Sequence, residues 1–473
     1  MSYTLIISLL ITSFHVIGIA TALHALYYSR SSQGAIAWVL FLMIVPLIGV
    51  PAYLVFGRTR FAGYREKIAA MITTHRAIFA EYRARLAEYR VAASPGGKMD
   101  TFERLGGSDI LSSNRLELLI DGQETFTALF DALEKATRYI LVEFFIIKDD
   151  KLGRALQERL ISKARQGVSV CVLFDEVGSK KLPASYVNEL VQAGVQVHRF
   201  HTRQGLGNFF QVNFRNHRKI VVVDGLVAFV GGHNVGVEYL GKGEKFSSWR
   251  DTHIRIEGPS VLPLQGTFCA DWVWATGSLP SISIPEITAV GTSNVLVVPS
   301  GPADPYERCT LLFLEAITRA QERVWIASPY FVPEESILRA LQLAAMRGVD
   351  VRILLPEKAD HLMVWLASFS YVPEVAERGV KVFRYTEGFL HQKVFLVDDS
   401  ISAVGTANLD NRSLRLNFEV TAIVYDPVFC SRVAEMLTAD FAKSRDVSSI
   451  TFAELSLFKK LGSKVARLFS PVL

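Results

Sequence analysis

The chain opens with two long apolar stretches and only then changes to short alternations of apolar and polar residues. From Met1 to Ser29 no side chain is charged apart from the titratable His15 and His24, and from Ser31 to Gly57 none is charged at all. Each stretch exceeds the roughly 20 apolar residues that cross a bilayer core as a helix. Residues 1–57 are therefore expected to form a transmembrane hairpin of two spans. A cleaved leader competes for the first stretch, because Ala20-Thr21-Ala22 has the small-x-small look of a cleavage site. No Lys or Arg precedes the apolar run, however, and a second run follows almost at once, which favours retained helices. Pro46 and Pro51 interrupt the second stretch, so it is expected to be kinked or partly re-entrant.

Charge sets the orientation. Only Arg30 separates the two stretches, whereas Arg58, Arg60, Arg65 and Lys67 follow the second, against the single acid Glu66. The positive-inside rule then puts the large C-terminal part in the cytoplasm. Residues 58–110 form a basic juxtamembrane linker, and residues 446–473 a basic amphipathic tail. Both are candidates for contact with anionic headgroups, or are ordinary solvated helix faces. The cysteines, Cys171, Cys269, Cys309 and Cys430, are scattered without CxxC pairs, which suits a reducing compartment and suggests neither a zinc site nor a disulfide framework.

Between linker and tail one pattern is written twice. SYVNELVQAGVQVHRF (185–200) matches SYVPEVAERGVKVFRY (370–385), HRKIVVVDGLVAFVGGHN (217–234) matches HQKVFLVDDSISAVGTAN (391–408), and RDTHIRIEGP (250–259) matches FEVTAIVYDP (418–427), in the same order. Each copy alternates strand patterns such as VSVCVLFD with helical ones such as LGRALQERLISKARQG. Strands separated by such helices predict two tandem α/β sandwich units, 111–295 and 296–445, each with a mixed, largely parallel sheet. Two similar units are expected to pack about a pseudo-two-fold axis that brings corresponding strand ends together.

The repeated motif carries the chemistry. In a strand alternate residues share a face, so His217 and Lys219 point one way and Asp224 the other, and His391, Lys393 and Asp398 repeat the arrangement. The two aspartates complete the motif, but their expected work is to fix the strand end by hydrogen bonds. Asn234 and Asn408 follow tight turns at Gly231-Gly232 and Gly405-Thr406, and acids recur at Asp251 and Glu419. Paired ammonium groups repel a divalent metal, and too few acids converge to offset them, so no metal and no cofactor is expected. A phosphodiester fits better. Lys219, Lys393, Asn234 and Asn408 are candidates to hold its oxygens, one histidine to attack phosphorus, and the other to protonate the leaving alkoxide. Asp251 and Glu419 are candidates to orient the imidazoles.

The pattern HxKxxxxD followed by GGxN or GTxN resembles the HKD motif of the phospholipase D superfamily, here in two copies, covering most of residues 111–445. Gly232 and Thr406 stand where many members have serine. The runs WRDTHIRIEGP, SPYFVP, GFLHQK and NLDNRSLRLNFE resemble bacterial cardiolipin synthases in particular. That resemblance implies an inner-membrane phosphatidyltransferase. His217 would take a phosphatidyl group from one phosphatidylglycerol while His391 protonates glycerol, and a second phosphatidylglycerol would then accept it to give cardiolipin. Spacing alone does not say which histidine attacks. A phospholipase D that hydrolyses phospholipids is the rival reading. A nuclease is disfavoured by the membrane segment and by the lack of a concentrated basic groove with interleaved aromatics, so no nucleic-acid partner is expected. Phe209, Phe210 and Phe214, just before the first motif, are candidates for a lipid entrance or for core. His233, His253 and His361 are expected to be structural, and Arg250 and Arg412 to touch headgroups or to pair with acids.

Overall fold

The computed structural model describes the whole chain except residues 1–2, 30–31, 58–59, 92–99, 205–207, 210, 247 and 450. Arg30, Arg58 and Phe210 thus lie outside the described residues. The first apolar stretch is one helix, Tyr3–Tyr28. The second is not a single rod. It breaks at Val45 into Ser32–Ile44 and Pro46–Phe56, because Pro46 lacks an N–H and its ring drives the preceding residue out of the helical region; Val45 has φ −134° and ψ 64°.

The two short helices fold back on each other. A Cβ on Gly49 would lie 3.1 Å from the Phe41 carbonyl oxygen, and one on Gly18 would lie 2.8 Å from the Leu42 carbonyl oxygen and 2.9 Å from Pro46 Cβ. Towards the other end His24 Nδ1 lies 2.9 Å from the Tyr53 hydroxyl, and the Trp38 and Tyr53 rings are 5.1 Å apart. Ser32–Ile44 thus runs alongside the first helix to about its middle, and Pro46–Phe56 returns.

Strand order in the main sheet reads the same from either end. The first half runs Gln196–Phe200, Ser169–Asp175, Tyr139–Phe144, Ile220–Val223, Val227–Gly231, Thr252–Glu257, Leu111–Ile120. The second half continues Ser293–Ser300, Asn417–Tyr425, Ile401–Gly405, Val394–Val397, Arg323–Ala327, Asp350–Pro356, Lys381–Tyr385, with the short strand Ser444–Asp446 beyond. The halves join where Leu111 pairs antiparallel with Val295.

The sheet is mixed but not largely parallel. Within each half only the three outer strands run parallel, for example Tyr139–Phe144 with Ser169–Asp175 and Ser169–Asp175 with Gln196–Phe200. The rest pair antiparallel. The reason is local. Only Asp224, Gly225 and Leu226 separate Ile220–Val223 from Val227–Gly231, and a parallel pair needs a crossover of a dozen or more residues. Asp224 and Gly225 take φ 54° and 68°, left-handed values that Gly and Asp adopt most readily.

One apolar cluster packs helices against the sheet of the first half and another does so in the second. A third, including Leu141, Ile220, Val295, Leu354, Leu396 and Phe418, is shared. Described residues of the juxtamembrane segment pack against the two halves. Phe61 is buried against Phe200, Phe214, Trp274 and Phe418, the Tyr64 hydroxyl donates to Asp271 at 2.6 Å, and Arg85 donates to the carbonyls of Ile284 and Pro285. Helix Thr101–Gly106 packs with the second half through Phe102.

Candidate active site

Two short parallel pairings stitch the halves together beside the shared core. Arg215–Asn216 pairs with Asn417–Phe418, and Phe389–Leu390 pairs with Trp249–Arg250. Each pairing ends on a motif histidine whose N–H is held by the other half: His217 N donates to the Phe418 carbonyl at 2.9 Å, and His391 N to the Arg250 carbonyl at 2.8 Å.

The next residue along each partner strand is an acid, and it takes the imidazole. His217 Nδ1 lies 3.0 Å from both Glu419 oxygens, and His391 Nδ1 lies 2.6 Å from Asp251 Oδ2. Each histidine is thus served by the carboxylate of the opposite half. Both acids are fully buried, and a carboxylate only accepts, so each ring donates from Nδ1 and turns Nε2 away from the acid. Lys393 Nζ also lies 2.9 Å from His391 Nδ1, but the shorter contact to Asp251 fixes that nitrogen as the donor.

Lys219 and Lys393 are buried beside the histidines. Lys219 Nζ donates to the His217 carbonyl at 2.6 Å, and Lys393 Nζ to the His391 carbonyl. Burial lowers both ammonium groups, Lys219 to about 7 and Lys393 to about 8, although Glu419 and Asp251 oppose the fall. Burial also lowers His217 to about 4: Glu419 opposes the shift, and the neighbouring lysines add to it. His391 falls well below its ordinary value through burial first, then through Lys393, Lys219 and His217. Burial raises Glu419, yet His217, Lys219 and the Thr406 hydroxyl outweigh it and hold the acid below its ordinary value.

The remaining predicted residues divide. Asn234 faces the first half, accepting from Ile146 N at 3.1 Å and donating to the Tyr239 hydroxyl at 2.7 Å. Asn408 Oδ1 is buried without a hydrogen-bond partner among the described residues. Asp224 and Asp398 sit at the far ends of their strands. Asp224 accepts from the backbone N–H groups of Thr137, Arg138 and Tyr139 and from the Thr137 hydroxyl, and Asp398 from those of Gln321, Glu322 and Arg323. Neither meets a motif histidine or lysine in these bonds.

Phe214 is core and Phe209 is exposed. His233 and His253 pair at 3.0 Å through their Nδ1 atoms in a buried position, whereas the His361 side chain is exposed. Arg250 pairs with Asp440 and Asp121, and Arg412 donates to the Asn213 carbonyl.

Sequence reasoning missed the exchange of acids and a buried support behind His217. Arg218 places Nη1 2.7 Å from both Asp271 oxygens and donates from Nε to the Glu419 carbonyl at 3.0 Å, while Asn216 bridges Asp271 and Glu143. The signal in the sequence was an arginine inside the motif, between His217 and Lys219.

Comparison with known proteins shows the family. Residues 129–253 and 313–443 match the family described as cardiolipin synthase, PLD-like domain, and residues 10–58 match a phospholipase D-nuclease N-terminal family. Cardiolipin synthase A of Pseudomonas fluorescens is 49% identical over 468 residues, 98% of each chain. The chain belongs to the cardiolipin synthase family. The Pseudomonas putida member of that family is 49% identical over 97% of each chain. The two phospholipase D-like segments of this cardiolipin synthase family member each contribute one histidine and the acid used by the other's histidine. A crystal structure of a phosphatidylserine synthase from Haemophilus influenzae shares the fold, with TM-score 0.60 at 15% identity over 79% of this chain and 100% of that one.

Proposed function

We propose that the protein is a cardiolipin synthase that transfers a phosphatidyl group between two phosphatidylglycerol molecules. The observation that carries this reading is the pair of buried histidines, each held by the acid of the opposite half with a lysine beside it, in a chain 49% identical over its length to cardiolipin synthase A. Two lysines suit the non-bridging oxygens of one phosphodiester.

In the first step His217 Nε2, neutral at pH 7, attacks phosphorus. The bond from phosphorus to the glycerol oxygen breaks, and His391 gives its proton to that oxygen. In the second step the hydroxyl of another phosphatidylglycerol attacks, His391 takes its proton, and the P–N bond breaks. One phosphodiester replaces another, so no nucleotide is needed. His391 must hold a proton in the first step although burial and the lysines disfavour its charged form. The anionic charge of a bound phosphodiester offsets those lysines and returns the proton. Lys219, Lys393 and Asn408 are the assigned phosphate contacts, and Asn234 joins them with its second amide hydrogen. The palindromic strand order supports a pseudo-two-fold axis between the histidines.

The membrane part is best read as one crossing, Tyr3–Tyr28, with Ser32–Ile44 and Pro46–Phe56 as a re-entrant pair entering from the catalytic side. At 1.5 Å per residue each short helix reaches about 20 Å or less, against about 30 Å of hydrocarbon. Arg60, Arg65 and Lys67 then lie on the cytoplasmic face, and the start of helix Tyr3–Tyr28 on the other. A thiol introduced at Ser2 should react with an impermeant reagent added outside intact cells. Labelling only after lysis would restore two spans.

Purified protein with phosphatidylglycerol as the sole lipid and a chelator present should release cardiolipin and glycerol by mass spectrometry. Phosphatidic acid as the sole product would instead establish a hydrolase.

A further inference from the structure

The last helix, Leu457–Leu468, turns its apolar face outward. Leu457, Phe458, Leu461, Val465 and Leu468 lie between 45% and 81% exposed, and their spacing puts them on one side of the helix. The opposite side, with Ser463 and Ala466, is buried against helix Leu362–Ala376. Lys459, Lys460 and Lys464 flank the apolar stripe, and none of them meets a carboxylate among the described residues: they contact the rings of Trp365 and Phe369, the Ala453 carbonyl and the ring of Phe452. An exposed apolar stripe edged by unneutralised lysines suits an in-plane helix at an anionic lipid surface.

Its place in the fold says which surface. Gln211 Nε2 donates to the Leu54 carbonyl, at the end of the N-terminal helices, at 2.9 Å. Two residues on, the Asn213 carbonyl accepts from Arg412 at 2.6 Å, and Arg412 N donates to the Leu473 carbonyl at 3.0 Å. A short relay of contacts therefore joins the membrane-side end of the chain to its C-terminus. Phe209 and Val212, on the same loop, are also exposed. This belt flanks the chemistry, since His217 follows Val212 by five residues and Asn408 precedes Arg412 by four.

We propose that helix Leu457–Leu468 is a second, in-plane membrane contact on the same face as the N-terminal helices, so that the site of His217 and His391 has its mouth in the headgroup layer. The docking of the helix stands on its own, whereas the placing of the mouth rests on the phosphatidyl-transfer reading.

The test uses the full chain in vesicles of phosphatidylcholine and phosphatidylglycerol. Cys269, the native thiol that is not buried, is replaced by Ser, and an environment-sensitive fluorophore is attached at Leu461→Cys or, as control, at Glu158→Cys on the exposed side of helix Lys151–Arg165. The probe at 461 should emit at shorter wavelength and be quenched by lipids spin-labelled near the headgroup, and the probe at 158 should do neither. Solvent-like emission at 461 overturns the proposal. So does a blue shift without lipid quenching, accompanied by cross-linking through position 461, which would mean that a second copy covers the helix. In the functional arm Phe458→Glu with Leu461→Glu should lower kcat/KM on vesicle phosphatidylglycerol about tenfold or more, the scale for two apolar side chains losing a buried environment. Turnover of a short-chain, water-soluble substrate should be unchanged. Equal loss on both substrates would overturn the placing of the mouth. Absence of all transferase activity alongside normal quenching would refute the catalytic reading and leave the docking intact.

Discussion

In the first half Gly232 leaves a space that the Asp251 carboxylate fills: a Cβ there would meet Oδ1 at 2.0 Å. In the second half Thr406 stands at the corresponding place, and its hydroxyl donates to Glu419 Oε2 at 2.5 Å. Because the acids cross over, this difference belongs to the opposite histidines. Glu419, which serves His217, also receives Asn417 Nδ2 at 3.2 Å, whereas Asp251, which serves His391, receives only Thr252 N at 2.8 Å besides the imidazole among the bonds described. The more firmly held anion stands behind His217. That arrangement suits a nucleophile, which must keep its Nδ1–H and its Nε2 lone pair throughout. The less buttressed Asp251 suits a histidine that gains and loses a proton in each turnover.

The largest effects should come from the histidines themselves. His217→Ala and His391→Ala should each lower kcat by about 10⁴ or more. Only the enzyme that retains His217 should yield a phosphatidyl-histidine on denaturing quench at neutral to mildly alkaline pH, where a P–N bond survives, located by peptide mass spectrometry. An adduct on His391 would invert the comparison. Next come the residues behind the acids. Gly232→Ala should cost about 10² in kcat, because the new methyl displaces Asp251. Thr406→Ser should stay near wild type, and Thr406→Ala should lose about tenfold, the worth of one hydrogen bond to a charged group. Gly232→Ala with normal turnover would show that Asp251 can move without penalty.

The pH profile separates the groups further. His217 is lowered to about 4, so its neutral form prevails above that pH. Lys219 and Lys393, lowered to about 7 and about 8, keep their charge only below those values. In titrations of initial rate, the hold on the phosphodiester, read as KM, should therefore weaken on the alkaline side from about pH 7 to 8, and the neutral His217 nucleophile should be lost on the acid side only near pH 4. An alkaline limb that Lys219→Arg leaves in place would assign it to Lys393.

The smallest effect on turnover should come from the motif aspartates. Asp224→Asn should lower stability by about 2 kcal/mol through weakened charge-assisted bonds to residues 137–139, read as a fall in the thermal midpoint with kcat retained. The more exposed Asp398→Asn should lose less. Loss of kcat in a folded Asp224→Asn protein would return that residue to the chemistry.

Much of this was legible in the sequence. The repeat named the histidine, lysine and asparagine of each half, and the aspartate's place on the opposite strand face foretold its role at the strand end. The strand directions were not legible, because a three-residue turn at Asp224 outweighs the helix-strand alternation seen elsewhere. The second apolar stretch was only partly legible. Its prolines marked a break, but whether the halves of a broken helix continue or fold back depends on what packs against them, here Gly18, His24 and Trp38.

By itself the sequence determined which groups are the candidates for the chemistry, since residue identity and spacing fix the imidazoles, ammoniums and carboxylates and the strand faces they occupy. Only the tertiary structure decided how they are partnered. Glu419 and Asp251 lie 202 and 140 residues from the histidines they hold, and no local pattern encodes a contact at that range. Two cross-half strand pairings, made possible by packing two similar sheets edge to edge, bring each acid to the other half's imidazole and bury both.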